Sequence, residues 1–113
     1  MADRHVRIDV DGTEVPAYLA LPEGSGPNPG MLVIEEIFGV NDQIRGVCRR
    51  LASEGYAAIS MEHFHRESEP EISYTDRETA MGNKDRLKDA EVVAEMRAGV
   101  DFLKGMVEVD EKH

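Results

Sequence analysis

The sequence predicts an α/β fold in which a parallel strand–helix–strand unit follows an antiparallel hairpin. Met31–Ile34 is a continuous apolar run, which is typical of a parallel strand that is buried on both faces, and Tyr56–Met61 is predicted to form another buried strand. An amphipathic segment lies between these two segments, and strand, helix and strand at such short spacing form a right-handed βαβ unit. Upstream, Val6–Val10 alternates apolar with polar residues, which indicates a half-buried strand.

The hairpin is the first element along the chain. Asp11-Gly12 is a hairpin-turn dipeptide, and it separates Val6–Val10 from a second strand over Val15–Leu21. Residues 22–30 are rich in glycine and proline, which predicts a loop before the first parallel strand.

The first helix lies between the two predicted parallel strands. Asn41 has the position of an N-cap, and Gly55 follows the last turn, where a glycine commonly ends a helix. The apolar residues between them recur at helical spacing; they are Ile44, Val47, Cys48, Leu51 and Ala52.

A second main helix is predicted near the end of the chain. Thr75 and Glu78 have capping-box spacing and predict a short helix that ends near Gly82. Asn83 then caps a long helix that ends at Gly105. The apolar positions of this long helix are Leu87, Val93, Met96, Val100 and Leu103. Residues 108–113 are expected to form a frayed tail. The prediction is a three-layer sandwich of about four strands and two main helices.

Composition and charge exclude several classes of partner. The chain has 113 residues, enough for one domain with an ordinary core. Its 23 acidic and 13 basic residues give a net charge of −10, which argues against binding to nucleic acid or to an anionic membrane surface. No apolar run approaches the ~20 residues of a membrane span, and no signal-peptide core follows Met1. We therefore expect a cytoplasmic protein.

The carboxyl ends of the parallel strands carry the candidate functional residues. Glu35 and Glu36 end the first parallel strand, and ligands of open α/β sheets bind outside such strand ends. Because adjacent side chains on a strand point to opposite faces, the two glutamates cannot form a paired dyad. Arg66 follows the second parallel strand at the same edge, where a guanidinium can bind a substrate carboxylate in bidentate fashion.

Glu62, His63 and His65 are the candidate metal ligands. Alternate residues of an extended segment share a face, so the two imidazoles can converge there. No further ligand is evident in the sequence. We therefore expect a polar loop, with neither a metal nor another cofactor.

Cys48 and Ser25 are the candidate nucleophiles. Cys48, the only cysteine, lies on the apolar stripe of the first helix and is interpreted as a small core residue. Ser25 lies in a turn-rich loop rather than in a Gly-x-Ser-x-Gly elbow. Neither residue is expected to act as a nucleophile.

Several segments together resemble the dienelactone hydrolase family, the carboxymethylenebutenolidases. They are Val33–Asn41, Ile44-Arg45, Leu51-Ala52, Glu54–Ala58 and Phe64–Arg66. The resemblance runs over residues 5–107 and covers the N-terminal half of the family's chain. It implies the α/β-hydrolase fold. It also implies hydrolysis of small lactones or esters by a Cys-His-Asp triad whose cysteine lies in a nucleophile elbow.

The resemblance also implies roles for individual residues. Glu36 matches the glutamate that contacts the nucleophile, and Ile37 matches the residue whose backbone N–H helps to form the oxyanion hole. Arg66 matches an arginine that binds the substrate carboxylate, and Glu35 is a second candidate for substrate binding. The family's nucleophile, aspartate and histidine would follow His113.

We therefore expect residues 1–113 to be a single domain that acts as a truncated member of the family. It would lack autonomous hydrolase activity and serve as a dimeric remnant or as a module that binds a small carboxylate-bearing ligand. The alternative is a hydrolase of small esters or lactones that is completed by another chain or at a dimer seam. Residues 31–36 would form an open apolar edge, which predicts a homodimer through that edge or through exposed helices.

Overall fold

The sheet confirms the predicted α/β class. The structure, a computed structural model, describes residues 2–24 and 26–106, and the backbone of residues 109–110. The elements in order are β1 (Ala2–Val10), β2 (Thr13–Leu21), β3 (Asn28–Leu32), α1 (Asp42–Ser53), β4 (Ala57–Met61), α2 (Arg77–Asp85), α3 (Asp89–Lys104) and β5 (Val109–Asp110). The strand order is β1-β2-β4-β3-β5. The β1–β2 hairpin and β2–β4 are antiparallel, whereas β3 is parallel to both β4 and β5.

Helices cover the sheet on both faces. α1 packs on β2 and β4, whereas α3 packs on β1, β3 and β4. Alternate residues of β2 point to the two layers: Leu19 lies in the core beneath α3, and Tyr18 and Ala20 lie in the core beneath α1. This alternation produces the predicted three-layer sandwich. Among the described residues, no helix is both long enough and apolar enough to cross a membrane.

α1 forms where the sequence predicts it. The Asn41 side chain accepts a hydrogen bond from the Ile44 N–H at 3.1 Å, as an N-cap does. Its amide group also donates to the Tyr74 hydroxyl at 2.9 Å, which joins the start of α1 to the loop before α2. Gly55 follows the helix with φ +99°, a conformation that favours glycine.

β3 begins three residues before the predicted strand. Asn28 and Pro29 pair with Val109 and Asp110 of β5, so the strand includes the end of the predicted loop. β5 therefore pairs only with residues that precede the predicted open edge of residues 31–36, and the outer side of Gly30–Leu32 has no strand partner within the described residues. Ser25 and residues 108 and 111–113 of the predicted tail lie outside the described residues.

α2 begins and ends later than predicted. The Asp76 side chain, not that of Thr75, caps the helix, because its Oδ1 accepts a hydrogen bond from the Thr79 N–H at 3.2 Å. The helix also continues past Gly82 as far as Asp85.

The predicted cap of the final helix is wrong as well. Asn83 is buried inside α2, and its amide group donates to the Glu69 carbonyl at 3.0 Å, so its side chain is not available to α3. α3 instead begins at Asp89, and Lys88 at its N-cap makes no side-chain capping bond.

The buried face of α3 also differs from the predicted stripe. Val93 and Val100 are exposed, whereas Glu95, Gly99 and Leu103 face the sheet. A Cβ at Gly99 would lie 3.1 Å from the Met61 sulfur, so the glycine allows the helix to approach the sheet closely. The helical spacing was predicted correctly, but the side of α3 that packs on the sheet is displaced from the predicted apolar stripe.

The cap of α1 gives the first test of this fold. We expect Asn41→Ala to lower the free energy of unfolding by about 1 kcal/mol, because the Ile44 N–H loses its acceptor. Urea denaturation followed by circular dichroism measures the change. Asn41→Asp keeps the acceptor and loses only the bond to Tyr74, so it should recover most of the loss. Equal losses in both variants would contradict the capping role.

Candidate functional site

The carboxyl ends of β3 and β4 lie side by side because the two strands are parallel. The segment after β3 contains Glu35, Glu36 and Ile37, and the segment after β4 contains residues 62–66. The candidate residues from both segments therefore share one edge of the sheet, as the resemblance implies.

A tight turn carries Glu36 and Ile37. The Gly39 N–H donates to the Glu36 carbonyl at 3.2 Å, which closes the turn. Gly39 has φ +83°, and a Cβ there would lie 2.3 Å from the Pro70 carbonyl oxygen, so this position requires glycine. The Glu36 side chain is exposed. Within the described residues, the Ile37 N–H donates no hydrogen bond.

Phe38 anchors this turn to α2 and the preceding loop. Its buried ring packs with Ile72 and Ala80 and meets the Tyr74 ring edge-to-face, with the ring centres 4.7 Å apart. The Phe38 carbonyl also accepts a hydrogen bond from the Ile72 N–H at 3.0 Å. The turn is therefore held from outside the sheet by residues that lie 34 to 42 positions after Phe38 in the chain.

Glu35 points inward and Glu36 is exposed, but the prediction that they end the strand is wrong, because β3 ends at Leu32 and both lie in the segment that follows it. Glu35 Oε1 accepts a hydrogen bond from the backbone N–H of His63 at 2.8 Å, while its buried Oε2 has no hydrogen-bond partner among the described residues. Burial, followed by the neighbouring Glu62 carboxyl group, raises the pKa of Glu35 well above its ordinary value. Glu35 is therefore protonated and neutral at pH 7.

Glu62 fixes the backbone on both sides of the site. Its Oε2 accepts a hydrogen bond from the Val40 N–H at 2.8 Å, and its Oε1 accepts one from the Phe64 N–H at 3.1 Å. The side chain is buried. This carboxyl group thus joins the turn after β3 to the segment after β4.

Glu95 of α3 accepts hydrogen bonds from three side chains of the segment after β4. His63 Nδ1 contacts its Oε1 at 2.8 Å, and its Oε2 is reached by His65 Nε2 at 2.8 Å and by Arg66 Nη1 at 2.9 Å. The Glu95 side chain is only 1% exposed. Burial alone would raise its pKa, but the hydrogen bonds from His65, His63 and Arg66 outweigh burial and hold the pKa below its ordinary value.

These contacts show how each predicted site residue is used. Arg66 is bound by Glu95 and, at 3.4 Å from Nε, by Glu91, although 40% of its side chain remains exposed. His63 and His65 converge as the sequence suggests, but on a carboxylate rather than on a common metal position. No group of three or more metal-ligating side chains occurs among the described residues. Glu36 makes no hydrogen bond to Arg66, and the two remain separate features of this edge.

Glu95 was not among the predicted site residues, and Glu62 has a different role from the predicted one. The one sequence signal for Glu95 is its position. It lies among the apolar residues of α3, where a carboxylate is unusual unless it is paired. Glu62 was predicted only as a possible metal ligand. In the structure its two carboxyl oxygens accept hydrogen bonds from two backbone N–H groups.

A cavity of about 260 Å³ opens on the α1 side of Glu62. Tyr18, Val40 and Pro70 form part of its wall, and Glu62 and Glu71 contribute carboxyl groups. No arginine or lysine lines this cavity, and Glu36 does not line it either. The carboxylate-binding candidate therefore remains Arg66 at the sheet edge.

Comparisons with known proteins show the family of this chain. The profile of the dienelactone hydrolase family matches residues 15–113. The chain belongs to the dienelactone hydrolase family. A provisionally named carboxymethylenebutenolidase of Methylorubrum extorquens is 36% identical over 93% of this chain and 36% of its own length. A protein of the same name from Escherichia coli K12 is 43% identical over 79% of this chain and 33% of its own length.

Solved structures show the same relationship. The crystal structure of a provisionally named dienelactone hydrolase from Klebsiella pneumoniae superposes with a TM-score of 0.78 and 31% identity. The superposition covers 98% of this chain and 47% of the Klebsiella protein. This dienelactone hydrolase family member thus spans between about a third and a half of the length of these three relatives.

The neutral Glu35 predicts a specific dependence of stability on pH. Its folded-state pKa is raised, so folding retains a proton that the unfolded chain releases above about pH 4.5. This contribution to stability is complete below that pH and is lost as the pH rises toward the folded-state pKa. We expect Glu35→Gln, which cannot ionise, to gain stability over the native chain by about 1 kcal/mol per pH unit between pH 5 and 9.

Urea denaturation at pH 5, 7 and 9 measures this difference. Glu36→Gln is the matched control, because the neighbouring glutamate is exposed and its variant should follow the native chain at every pH. A Glu35→Gln difference that stays constant with pH would show that Glu35 ionises in the folded protein.

Glu95 provides a test of the hydrogen-bonded cluster. We expect Glu95→Gln to lower the free energy of unfolding by about 3 kcal/mol, because an amide NH₂ group would face donors in place of a carboxylate oxygen. Glu91→Gln, one turn earlier on α3, removes a longer and more exposed contact with Arg66 and should cost less than about 1 kcal/mol. Similar losses in the two variants would contradict the central role of Glu95.

Proposed function

We propose that these residues form the oxyanion side of a site that hydrolyses small esters or lactones, and that they do not complete turnover by themselves. The observation that carries this proposal is the turn of Glu36–Gly39 at the carboxyl end of β3. Family membership supports the assignment of Glu36 and Ile37 to this reaction.

Ile37 would stabilise the transition state. Attack on an ester or lactone carbonyl places negative charge on its oxygen, and a preorganised backbone N–H stabilises this charge. The Ile37 N–H is not engaged by another described group, and the turn around it is held by Phe38 and Gly39. A rigid donor of this type is the contribution that the chain makes to the reaction.

The described residues contain no nucleophile and base arranged to use this donor. Acyl transfer needs both within hydrogen-bond reach of one another. Burial raises the pKa of the Cys48 thiol to about 11, and Cys48 lies in the core beneath α1. His63 and His65 instead bond to Glu95 of α3, on the other face of the sheet. The cysteine and the two histidines therefore do not meet.

Arg66 would bind a carboxylate on the substrate. One N–H of its guanidinium bonds Glu95 and another approaches Glu91, which leaves further N–H groups on a side chain that is 40% exposed. The two glutamates hold the group in one orientation, so less entropy is lost when an anion binds. A small ester or lactone that bears a carboxylate is therefore the proposed substrate class.

A fusion protein tests this proposal. These 113 residues replace the matched half of the Klebsiella relative, and hydrolysis of 4-nitrophenyl acetate and of a small lactone is measured. The isolated chain should give no turnover above that of heat-unfolded protein, whereas the fusion should hydrolyse both substrates. Repeated turnover by the isolated chain, or no turnover by a folded fusion, would contradict the proposal.

Two substitutions in the fusion separate the roles. Ile37→Pro removes the N–H and should lower kcat by about 100-fold or more, while Ile37→Ala keeps it and should retain most of the activity. Arg66→Ala should raise KM for a carboxylate-bearing lactone and leave KM for 4-nitrophenyl acetate unchanged. Circular dichroism confirms that each variant is folded.

A further inference from the structure

One buried carboxylate lies between the two segments that carry the proposed binding groups. Glu62 follows β4 directly, and its backbone N–H donates to the Pro16 carbonyl of β2 at 2.9 Å, so its main chain is fixed to the sheet. The residue is only 8% exposed. Because water is largely excluded, hydrogen bonds to this carboxylate are stronger than they would be at the surface.

One oxygen of this carboxylate holds the turn that contains the Ile37 N–H. The Val40 N–H donates to Glu62 Oε2 at 2.8 Å. Val40 directly follows Gly39, whose own N–H closes the turn on the Glu36 carbonyl at 3.2 Å. The proposed oxyanion donor therefore lies within a closed turn whose far end is bonded to Glu62.

The other oxygen holds a second turn, which contains Arg66. The Phe64 N–H donates to Glu62 Oε1 at 3.1 Å, and the Phe64 carbonyl accepts a hydrogen bond from the Glu67 N–H at 2.9 Å. Arg66 lies inside this turn, and Glu95 holds its guanidinium at 2.9 Å. The two oxygens of one carboxylate are thus bonded to the turn of the proposed oxyanion donor and to the turn of the proposed carboxylate-binding group.

A second contact joins the same segments ahead of both turns. Glu35 Oε1 accepts a hydrogen bond from the His63 N–H at 2.8 Å. Glu62 instead reaches the end of the first turn and the start of the second. Loss of the Glu62 bonds should therefore relax the spacing of the two turns, while the contact between Glu35 and His63 keeps the segments together.

We propose that Glu62 is a positioning residue that fixes the distance between the Ile37 N–H and the Arg66 guanidinium. The site then prefers substrates in which one particular chain length separates the carboxylate from the scissile carbonyl. Two rigidly placed groups favour a substrate of matching length, because little orientational freedom remains to be lost when it binds. This inference rests on the proposed function, since it concerns the same two groups, and it adds a selectivity that neither group has alone.

A series of half-esters tests this selectivity. The monoethyl esters of malonic, succinic, glutaric and adipic acid differ from one another by single methylene groups. The fusion described above is assayed with each ester by titration of the acid that hydrolysis releases. We expect kcat/KM to peak at one length and to fall at least tenfold when two methylene groups are added or removed.

A matched pair of substitutions in the fusion tests the role of Glu62. Glu62→Gln should reduce the range of kcat/KM across the series to less than about threefold, because its NH₂ group replaces an oxygen and cannot accept a hydrogen bond. Glu71→Gln makes the same change in an exposed carboxylate that bonds to Arg45, and it should keep the preference. A ratio between substrates does not depend on the folded fraction, so a loss of stability alone would not change it.

Two results of this assay would overturn the proposal. One is the same length preference in the native fusion and in Glu62→Gln. The other is a native fusion that hydrolyses the half-esters without a preference. Turnover of 4-nitrophenyl acetate in that second case would retain the proposed function and remove only this inference.

A second measurement does not require turnover. Each half-ester is added to the nitrogen-15-labelled 113-residue chain, and NMR follows the Ile37 amide and the Arg66 side-chain N–H signals. We expect both signals to shift over the same concentration range, with the lowest Kd at one length. Glu62→Gln, or Glu62→Asp where the first variant does not fold, should bring the Kd values within about threefold of one another.

The NMR titration separates this inference from the proposed function. Shifts at Arg66 without shifts at Ile37, or equal Kd values for every half-ester in the native chain, would overturn the inference. An inactive fusion, together with a length preference that the Glu62 variant abolishes, would retain the inference and remove the proposed function.

Discussion

The buried carboxylate of Glu95 is the interaction on which the arrangement of this sheet edge depends. A carboxylate that is almost completely removed from water is costly unless charge-assisted hydrogen bonds replace its hydration. Three donors from one short segment after β4 supply them. The same bonds fix that segment against α3, so the cost of burying the charge and the position of the segment are two aspects of one contact.

The position of the β3–α1 turn follows from this contact through the backbone. His63 uses its ring for Glu95 and its N–H for Glu35, and the adjacent Glu62 accepts from Val40 beyond the turn. Glu35 and Glu62 thus connect the turn that contains Ile37 to the segment after β4, and Glu95 connects that segment to α3. Glu35 and Glu95 respond to pH in opposite directions: acid weakens the contribution of Glu95, and alkali weakens that of Glu35.

The two helical layers differ in how completely they bury their apolar side chains. Beneath α1, the core is closed by Tyr18, Ile44 and Cys48, and the cysteine is buried there without access to the sheet edge. On the other face, α3 covers the sheet with Leu103 but leaves Val93 and Val100 exposed beside a two-residue β5. The turn that contains Ile37 belongs to neither layer, because Phe38 packs it against Ile72 and against Ala80 of α2.

Local patterns were sufficient for much of this fold. Alternation predicted the hairpin, and Asn41 and Gly55 marked the limits of α1, because these signals act between residues close together in the chain. Only the tertiary structure showed that Asn83 is buried within α2, that α3 turns Glu95 to the sheet, and that Arg66 bonds to it. Such contacts join residues 14 to 32 positions apart, where a carboxylate's partner depends on how helix and sheet pack and not on its sequence neighbours.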